Sequence, residues 1–377
     1  PDATATPGSW HARRVALRDV RCWDRAEIAL PPGLTVMSGP NGAGKTTLVE
    51  AIALGCAGVS PRTAREAEIV RRGADAFHVE LDLVDPTRVD ARRGIGFQPG
   101  RGRRLTIDGD PVRSLAAWRA HGALSVFVPE ELRLLNGPPA GRRRALDRLL
   151  EALAPGFIEI AARYREGVSQ RNALLRRVRA AEALPEHLDV WDHQISEAGG
   201  ALASHRRAIV ADLAPRFAAW LDALAGGERG LLRLVSSPAH LQEADDPAAV
   251  LAAALADRRP RDVAAAQTLS GPHRDDVWIG TAGDVDLRST GSQGEQRTAA
   301  LALILAGRDL LSAATGRPIL ILDDVLSELD PGRRRALLGA VAEGGQSIVT
   351  SADPDAAELA ARYADGAIRV EDGRIEA

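Results

Sequence analysis

The strongest constraint on this chain is the stretch Gly39-Pro40-Asn41-Gly42-Ala43-Gly44-Lys45-Thr46-Thr47, set between an apolar run at 34–38 and a helix-forming run at 46–54. A glycine, four residues and then Gly-Lys-Thr, between strand and helix, is the pattern of a loop that cradles phosphates. Gly42 and Gly44 let the backbone turn where a β-carbon would clash. Consecutive N–H groups and the positive end of the following helix then converge on a polyphosphate. Lys45 supplies a point charge for the outer phosphates, and the Thr46 hydroxyl is placed to ligate Mg²⁺. The expected ATP-binding set is Gly39, Asn41, Gly42, Ala43, Gly44, Lys45, Thr46 and Thr47. Lys45 is also the only lysine in the sequence, every other basic side chain of its class being arginine. A chain that avoids lysine elsewhere needs a compact ammonium here, where a guanidinium fork does not serve.

The 377 residues suffice for two or three domains, and 45% hydrophobic content fills a sizeable core. No apolar run reaches the length of a membrane span and the first eleven residues do not read as a signal peptide, so the expectation is a cytoplasmic protein without a membrane partner. Cys22 and Cys56 have no metal-ligand spacing around them and read as packing residues. With a net charge of −3, the chain as a whole does not announce nucleic acid. A nucleic-acid partner has to be held by local arginine patches.

Taken in order, residues 13–30 alternate as a strand pair, and further strands are expected at 77–84, 88–107 and 124–128. The second of these is interrupted by a basic loop at 98–104. From Leu132 the texture changes to alanine, leucine and arginine at helical spacing. One helix is expected over 157–182, and a second carries Leu202, Ile209, Leu213, Phe217, Leu221 and Leu224 until Pro215 bends or breaks it. Loops are expected over 226–246. The head resumes near Gln267, with strands at 277–280, 318–322 and 347–351. The expected fold is α/β: a P-loop head with a mixed sheet, formed by residues 1–131 and 266–377, and an inserted, mainly helical lobe with short arms, residues 132–265.

Three more stretches turn the phosphate loop into a machine. The buried run Ile319-Leu320-Ile321-Leu322 delivers Asp323 and Asp324 at its end. Asp323 would hold Mg²⁺, directly or through water, and Asp324 would polarise the attacking water as a general base, which with Lys45 makes the catalytic pair. Ser292-Gln293-Gly294-Glu295-Gln296-Arg297 opens a helix and offers a hydroxyl, glycine amides and a helix N-terminus, either as an anion site or as a helix cap. Ser327-Glu328-Leu329-Asp330 follows the acids and also reads as a helix entry before Pro331. The first of these two stretches is similar to the signature of ABC-type ATPases and the second to their D-loop. That likeness implies a second anion site, Ser292, Gln293 and Gly294, acting in trans on the nucleotide of a partner copy. Ser327 and Asp330 would then lie at the interface.

With the phosphate loop, Val128-Pro129-Glu130-Glu131-Leu132, Gly137-Pro138-Pro139 and Arg142-Arg143 come Ser270-Gly271-Pro272-His273-Arg274-Asp275-Asp276, the Ser292 stretch and Leu322-Asp323-Asp324-Val325-Leu326-Ser327-Glu328-Leu329-Asp330. In this order, the set resembles the bacterial RecF recombination-repair ATPases over nearly the whole chain. The resemblance implies an ABC-ATPase-like head related to SMC heads, a weak ATPase using ATP and Mg, and an ATP-dependent homodimer. It also implies binding of double-stranded DNA or single-strand/double-strand junctions, and work with RecR and RecO to load RecA.

Some positions depart from the wider ABC pattern. Glu130 stands where a magnesium-sensing glutamine is usual, Ser351 is the nearest match to a switch histidine, and Asp324 is one methylene shorter than the usual glutamate. These departures suggest slow hydrolysis, suited to a switch. His273 and Arg274 read equally as nucleotide or partner contacts and as a structural turn. The competing reading, the ATPase subunit of a membrane transporter, lacks its glutamine loop, and an SMC-type tether needs arms far longer than an insert of about 130 residues provides. The arginines proposed to meet DNA are Arg62, Arg65, Arg101, Arg103, Arg104, Arg176 and Arg177, each of which also reads as plain surface charge.

Overall fold

The alternation that begins near Arg13 becomes strands in the structure, a computed structural model that describes residues 8–119, 124–128, 133–371 and 373–376. In chain order the first strands are β1 (His11–Val20), β2 (Trp23–Ala29), β3 (Leu34–Ser38), β4 (Phe77–Val84), β5 (Asp90–Gln98), β6 (Gly102–Ile107), β7 (Asp110–Pro111) and β8 (Leu124–Phe127). There follow β9 (Gly230–Val235), β10 (Asp276–Thr281), β11 (Val285–Asp286), β12 (Ile319–Leu322), β13 (Ser347–Ser351), β14 (Gly366–Glu371) and β15 (Arg374–Glu376). The helices are α1 (Lys45–Ala57), α2 (Leu115–Arg119), α3 (Arg133–Asn136), α4 (Pro139–Leu153) and α5 (Phe157–Arg179). They continue with α6 (Asp189–Ala225), α7 (Pro247–Ala265), α8 (Gln293–Thr315), α9 (Pro331–Ala342) and α10 (Pro354–Ala361).

Two compact units result. The first comprises Pro1–Leu132, Trp220–Gly227 and Ser292–Ala377, and the second Arg133–Ala219 and Glu228–Gly291. The first unit holds two six-stranded sheets. One, in the order β2-β1-β4-β5-β6-β7, is antiparallel throughout. Its period-two pattern turns Val15, Leu17, Val79 and Leu81 inward, while Arg14 on the other face donates to Asp82 at 2.7 Å. The other runs β15-β14-β3-β13-β12-β8, parallel except for β15. Buried apolar residues from both sheets and from α1 form one core, Met37, Leu48, Ile52, Leu81, Ile95, Ile321 and Ile348 among them. Since α1 is buried from Thr47 to Cys56, it is enclosed all round rather than striped, with Glu50 carried inside among apolar residues.

By length and composition alone α8 would cross a membrane, which the sequence reading did not anticipate. Here Ala299, Leu301, Leu305 and Ala306 are buried in the first unit. Arg308 of the same helix donates to the carbonyls of Pro318 and Gly344, so α8 serves as a core helix.

The second unit combines the antiparallel sheet β11-β10-β9 with α4, α5, α7 and the greater part of α6. Several expectations are corrected here. The helix over 157–182 ends at Arg179. Pro215 does not break α6, which runs unbroken for 37 residues. The carbonyl that loses its partner is that of Ala211, an exposed residue that water can reach, while Leu213, Phe217 and Leu221 keep the buried stripe continuous. The loops over 226–246 contain β9, whose pairing with β10 keeps 266–291 in the second unit, so the compact boundary falls at 291/292 rather than 265/266. Glu130 and its neighbours 129–132 lie outside the described residues.

Candidate nucleotide site

Three adjacent parallel strands place the motifs side by side. Met37 of β3 lies opposite Thr350 of β13, and Val349 of β13 opposite Leu322 of β12. Their carboxyl ends therefore deliver Ser38-Gly39, Thr350-Ser351 and Asp323-Asp324 to one edge, the edge at which open α/β sheets bind ligands.

Two glycines of the loop are needed for different reasons. At Gly39 φ is 146° and a β-carbon would lie 1.9 Å from the Val370 carbonyl oxygen, so the close approach of two backbones excludes any side chain. At Gly42 φ is 82° and nothing lies within 4 Å of that position, so the demand is torsional and the loop's outer side stays open. Lys45, only 6% exposed, donates from Nζ to the carbonyls of Gly39 at 2.6 Å and Pro40 at 2.9 Å. Burial lowers its pKa, opposed by the charges of Asp324 and Asp323. The loop is braced from outside by Trp23, whose Nε1–H donates to the Gly44 carbonyl at 3.2 Å.

Thr46 Oγ1 donates to Asp323 Oδ1 at 3.2 Å, although 277 residues separate them. Thr350 Oγ1 donates to the same oxygen at 2.6 Å. Burial raises the Asp323 pKa, against which both hydroxyls pull. Asp324 has φ 51°, left-handed and uncommon outside glycine, and its Oδ1 is buried without a hydrogen-bond partner. No three His, Cys, Asp or Glu side chains cluster as metal ligands among the described residues. A hard cation that keeps most of its ligands as water and phosphate oxygen needs only one or two protein oxygens. The hydrogen-bonded Thr46 hydroxyl and Asp323 carboxylate are two oxygens that would fit that need, and the buried, unbonded Asp324 Oδ1 has room in its bonding for an added polar group.

Ser292 is the N-cap of α8: its Oγ accepts from Glu295 N at 3.3 Å, and Glu295 Oε2 accepts from Ser292 N at 2.6 Å. That hydrogen bond from the backbone holds the Glu295 pKa down. Ser292 and Gln293 are exposed, and the serine still has its own proton to donate. Asp330 caps α9 by accepting from the Gly332 and Arg333 amides, and Ser327 Oγ donates to the Asp324 carbonyl at 2.9 Å. Both stretches are thus helix caps, one of them bonded to the acidic corner.

The open questions around His273 and Ser351 resolve locally. His273 Nε2 donates to the Thr268 carbonyl at 3.0 Å, so Nδ1 accepts from the Tyr164 hydroxyl at 2.7 Å. Asp276 pairs with Arg142 and Arg288, and Asp275 with Arg206. The Gly-Pro-His-Arg-Asp-Asp stretch thus clasps helices of the second unit. Ser351 Oγ is engaged with Asp353, donating to its carbonyl and accepting from its amide, each at 3.2 Å.

All seven arginines proposed to meet DNA are exposed. Arg62 is bonded to the wholly buried Glu50 of α1, Arg65 to Glu68 and Arg103 to Glu66, whereas Arg101, Arg104, Arg176 and Arg177 carry no ion pair among the described residues. Arg62 also bears electrostatically on Asp323.

Over 97% of its length the chain is 36% identical to the DNA replication and repair protein RecF of Chloroflexus aggregans, covering 99% of that protein. Its identity to the RecF of Acidothermus cellulolyticus is 37% over 91% of the chain, covering 94% of that protein. The chain belongs to the RecF family. A solved structure of RecF with ATP, described as a recombination mediator of the RecFOR pathway, superposes with a TM-score of 0.85 at 25% identity over 98% of each chain. An Smc head domain from Pyrococcus furiosus matches at TM-score 0.60 and 14% identity, over 98% of this chain and 96% of that one, a likeness of fold alone. A family profile described as an AAA domain covers residues 14–114. This RecF-family chain is therefore a DNA replication and repair ATPase of the ABC/SMC type, and the transporter reading falls away.

Sequence reasoning missed three residues at this site. Thr350 lies inside a buried strand and reads as filler, and Trp23 opens β2 with no motif around it. Glu50 falls in the middle of α1, where nothing in the pattern says that it is the buried partner of Arg21 at 2.9 Å and of Arg62 at 3.4 Å.

Proposed function

We propose that the chain binds ATP with Mg²⁺ between the phosphate loop and the Asp323-Asp324 corner, and uses slow hydrolysis as a switch for a DNA-bound homodimer. The observation that carries this is the 3.2 Å bond from Thr46 to Asp323, which juxtaposes the two metal-ligating candidates beneath the loop. Gly39, Asn41, Gly42, Ala43, Gly44 and Thr47 form the cradle, and Lys45 leaves its two carbonyls to meet the outer phosphates. Mg²⁺, held by Thr46 and Asp323, would neutralise charge on the phosphates. Asp324 accepts the proton of the attacking water. Ser292, Gln293 and Gly294 of one copy close over the nucleotide of the other, with Ser327 and Asp330 at the seam. The closed pair binds duplex DNA or a single-strand/double-strand junction, with the contacts drawn from Arg62, Arg65, Arg101, Arg103, Arg104, Arg176 and Arg177. It acts with RecR and RecO to load RecA in the cytoplasm, a reading supported by its likeness to a RecF of the RecFOR pathway.

Sedimentation with and without ATP and Mg²⁺, repeated with duplex DNA, tests the reading. Wild type should dimerise reversibly, Asp324→Asn should accumulate as a dimer, and Ser292→Arg should bind ATP as a monomer. An Asp324→Asn chain that stays monomeric at saturating ATP would falsify the shared site.

A further inference from the structure

Thr350 and Ser351 are consecutive in β13, so the pleat sends their side chains to opposite faces. Ser351, the residue in the place of a switch histidine, turns to Asp353. The hydroxyl that faces the acids belongs to Thr350. Its bonding leaves no choice of direction: an amide N–H only donates, so Thr350 Oγ1 accepts from Asp324 N at 2.9 Å. Its single proton then goes to Asp323 Oδ1 at 2.6 Å. One side chain thereby fixes the carboxylate of one acid and the backbone of the next. Ser327 holds the other side of the same residue through the Asp324 carbonyl at 2.9 Å. Between these two hydroxyls Asp324 keeps a left-handed φ of 51°, a strained conformation for a non-glycine residue that persists where its surroundings enforce it. The turn leaves Asp324 Oδ1 buried and unbonded. An acceptor freed of internal partners is what a base needs in order to take a proton from water.

We infer that Thr350 is a positioning residue of the hydrolytic corner, its hydroxyl locking the Asp324 backbone to the Asp323 carboxylate so that Asp324 presents an unbonded oxygen. The inference rests on the ATPase reading above and adds to it a residue that acts through Asp324.

The test pairs Thr350→Val, which keeps the shape and removes the hydroxyl, with Thr350→Ser, which keeps the hydroxyl. In the nucleotide-free full-length chain, amide hydrogen exchange at Asp324 should quicken in Thr350→Val and stay slow in Thr350→Ser. Single-turnover ATP hydrolysis should fall about 100-fold in Thr350→Val, the scale of loss for a misplaced reacting group. Affinity for ATP measured without Mg²⁺ should not change, and Thr350→Ser should recover most of the rate. In an Asp324→Asn background, Thr350→Val should cost little more, since it acts through Asp324. Equal impairment of the serine and valine variants, rate losses that multiply with Asp324→Asn, or unchanged exchange at Asp324 would each overturn the assignment. Wild-type hydrolysis no faster than that of Lys45→Ala would instead overturn the ATPase reading, whatever the exchange data show.

Discussion

Lys45 occupies a place that a larger cation cannot take. Its ammonium is buried between the carbonyls of Gly39 and Pro40, with Asp323 and Asp324 close enough to bear on its charge. Lys45→Arg keeps the charge but brings a rigid planar fork into that space, and should weaken ATP binding at least about 10-fold by calorimetry. His273 makes a second residue-level prediction. Burial brings its pKa from the usual 6.5 down to about 4, so the folded chain holds it neutral where the unfolded chain takes up a proton. The stability it contributes is therefore present above pH 6.5 and lost as pH falls towards 4. Asp275, pushed up to about 6 by burial, works in the opposite direction over nearly the same range, so the useful readout is a difference between variants. In denaturant titrations, the advantage of wild type over His273→Asn should shrink by up to about 3 kcal/mol between pH 7 and pH 4.

Among the elements, the turn from β3 into α1 contains two glycines that respond differently to the same substitution. Gly39→Ala drives a methyl group into the Val370 carbonyl, backbone against backbone, and should cost about 3 kcal/mol or more, leaving little folded protein. Gly42→Ala meets no atom and pays only for its positive φ, about 1 kcal/mol, so it should fold with a slightly lower melting temperature and lose ATP affinity. Thermal melts with ATP titrations separate the two. The phosphate loop, its flanking elements and the acidic strand were legible because their chemistry demands fixed residue types at fixed spacing. What stayed hidden depended on partners remote in sequence. The strand β9 looks like loop until β10 pairs with it, and Pro215 reads as a helix stop until the buried stripe of Leu213, Phe217 and Leu221 is seen to carry α6 past it. A signature serine and a capping serine look alike in sequence because Ser292 has the geometry of a cap.

At the scale of the whole molecule, a net charge of −3 means that any grip on DNA is local, and three of the seven candidate arginines are already bonded to acids. Binding to duplex DNA in the presence of ATP should weaken steeply with salt, by a log-log slope of about −0.9 per phosphate neutralised. Replacing Arg101 and Arg104 together by alanine should flatten that slope by up to about 2, measured by fluorescence anisotropy across a salt series. A flat dependence in wild type would remove these arginines from consideration.

The strand order carries a last consequence, for how the molecule is made. β3 is hydrogen-bonded on both sides to strands drawn from the final stretch of the chain, β13 and β14. While the ribosome is still working towards Ser347, the phosphate loop has been synthesised but has no sheet to stand on. Arrested nascent chains should therefore retain no nucleotide until β13 and β14 have emerged, so that ATP capture reports the arrival of both flanking strands.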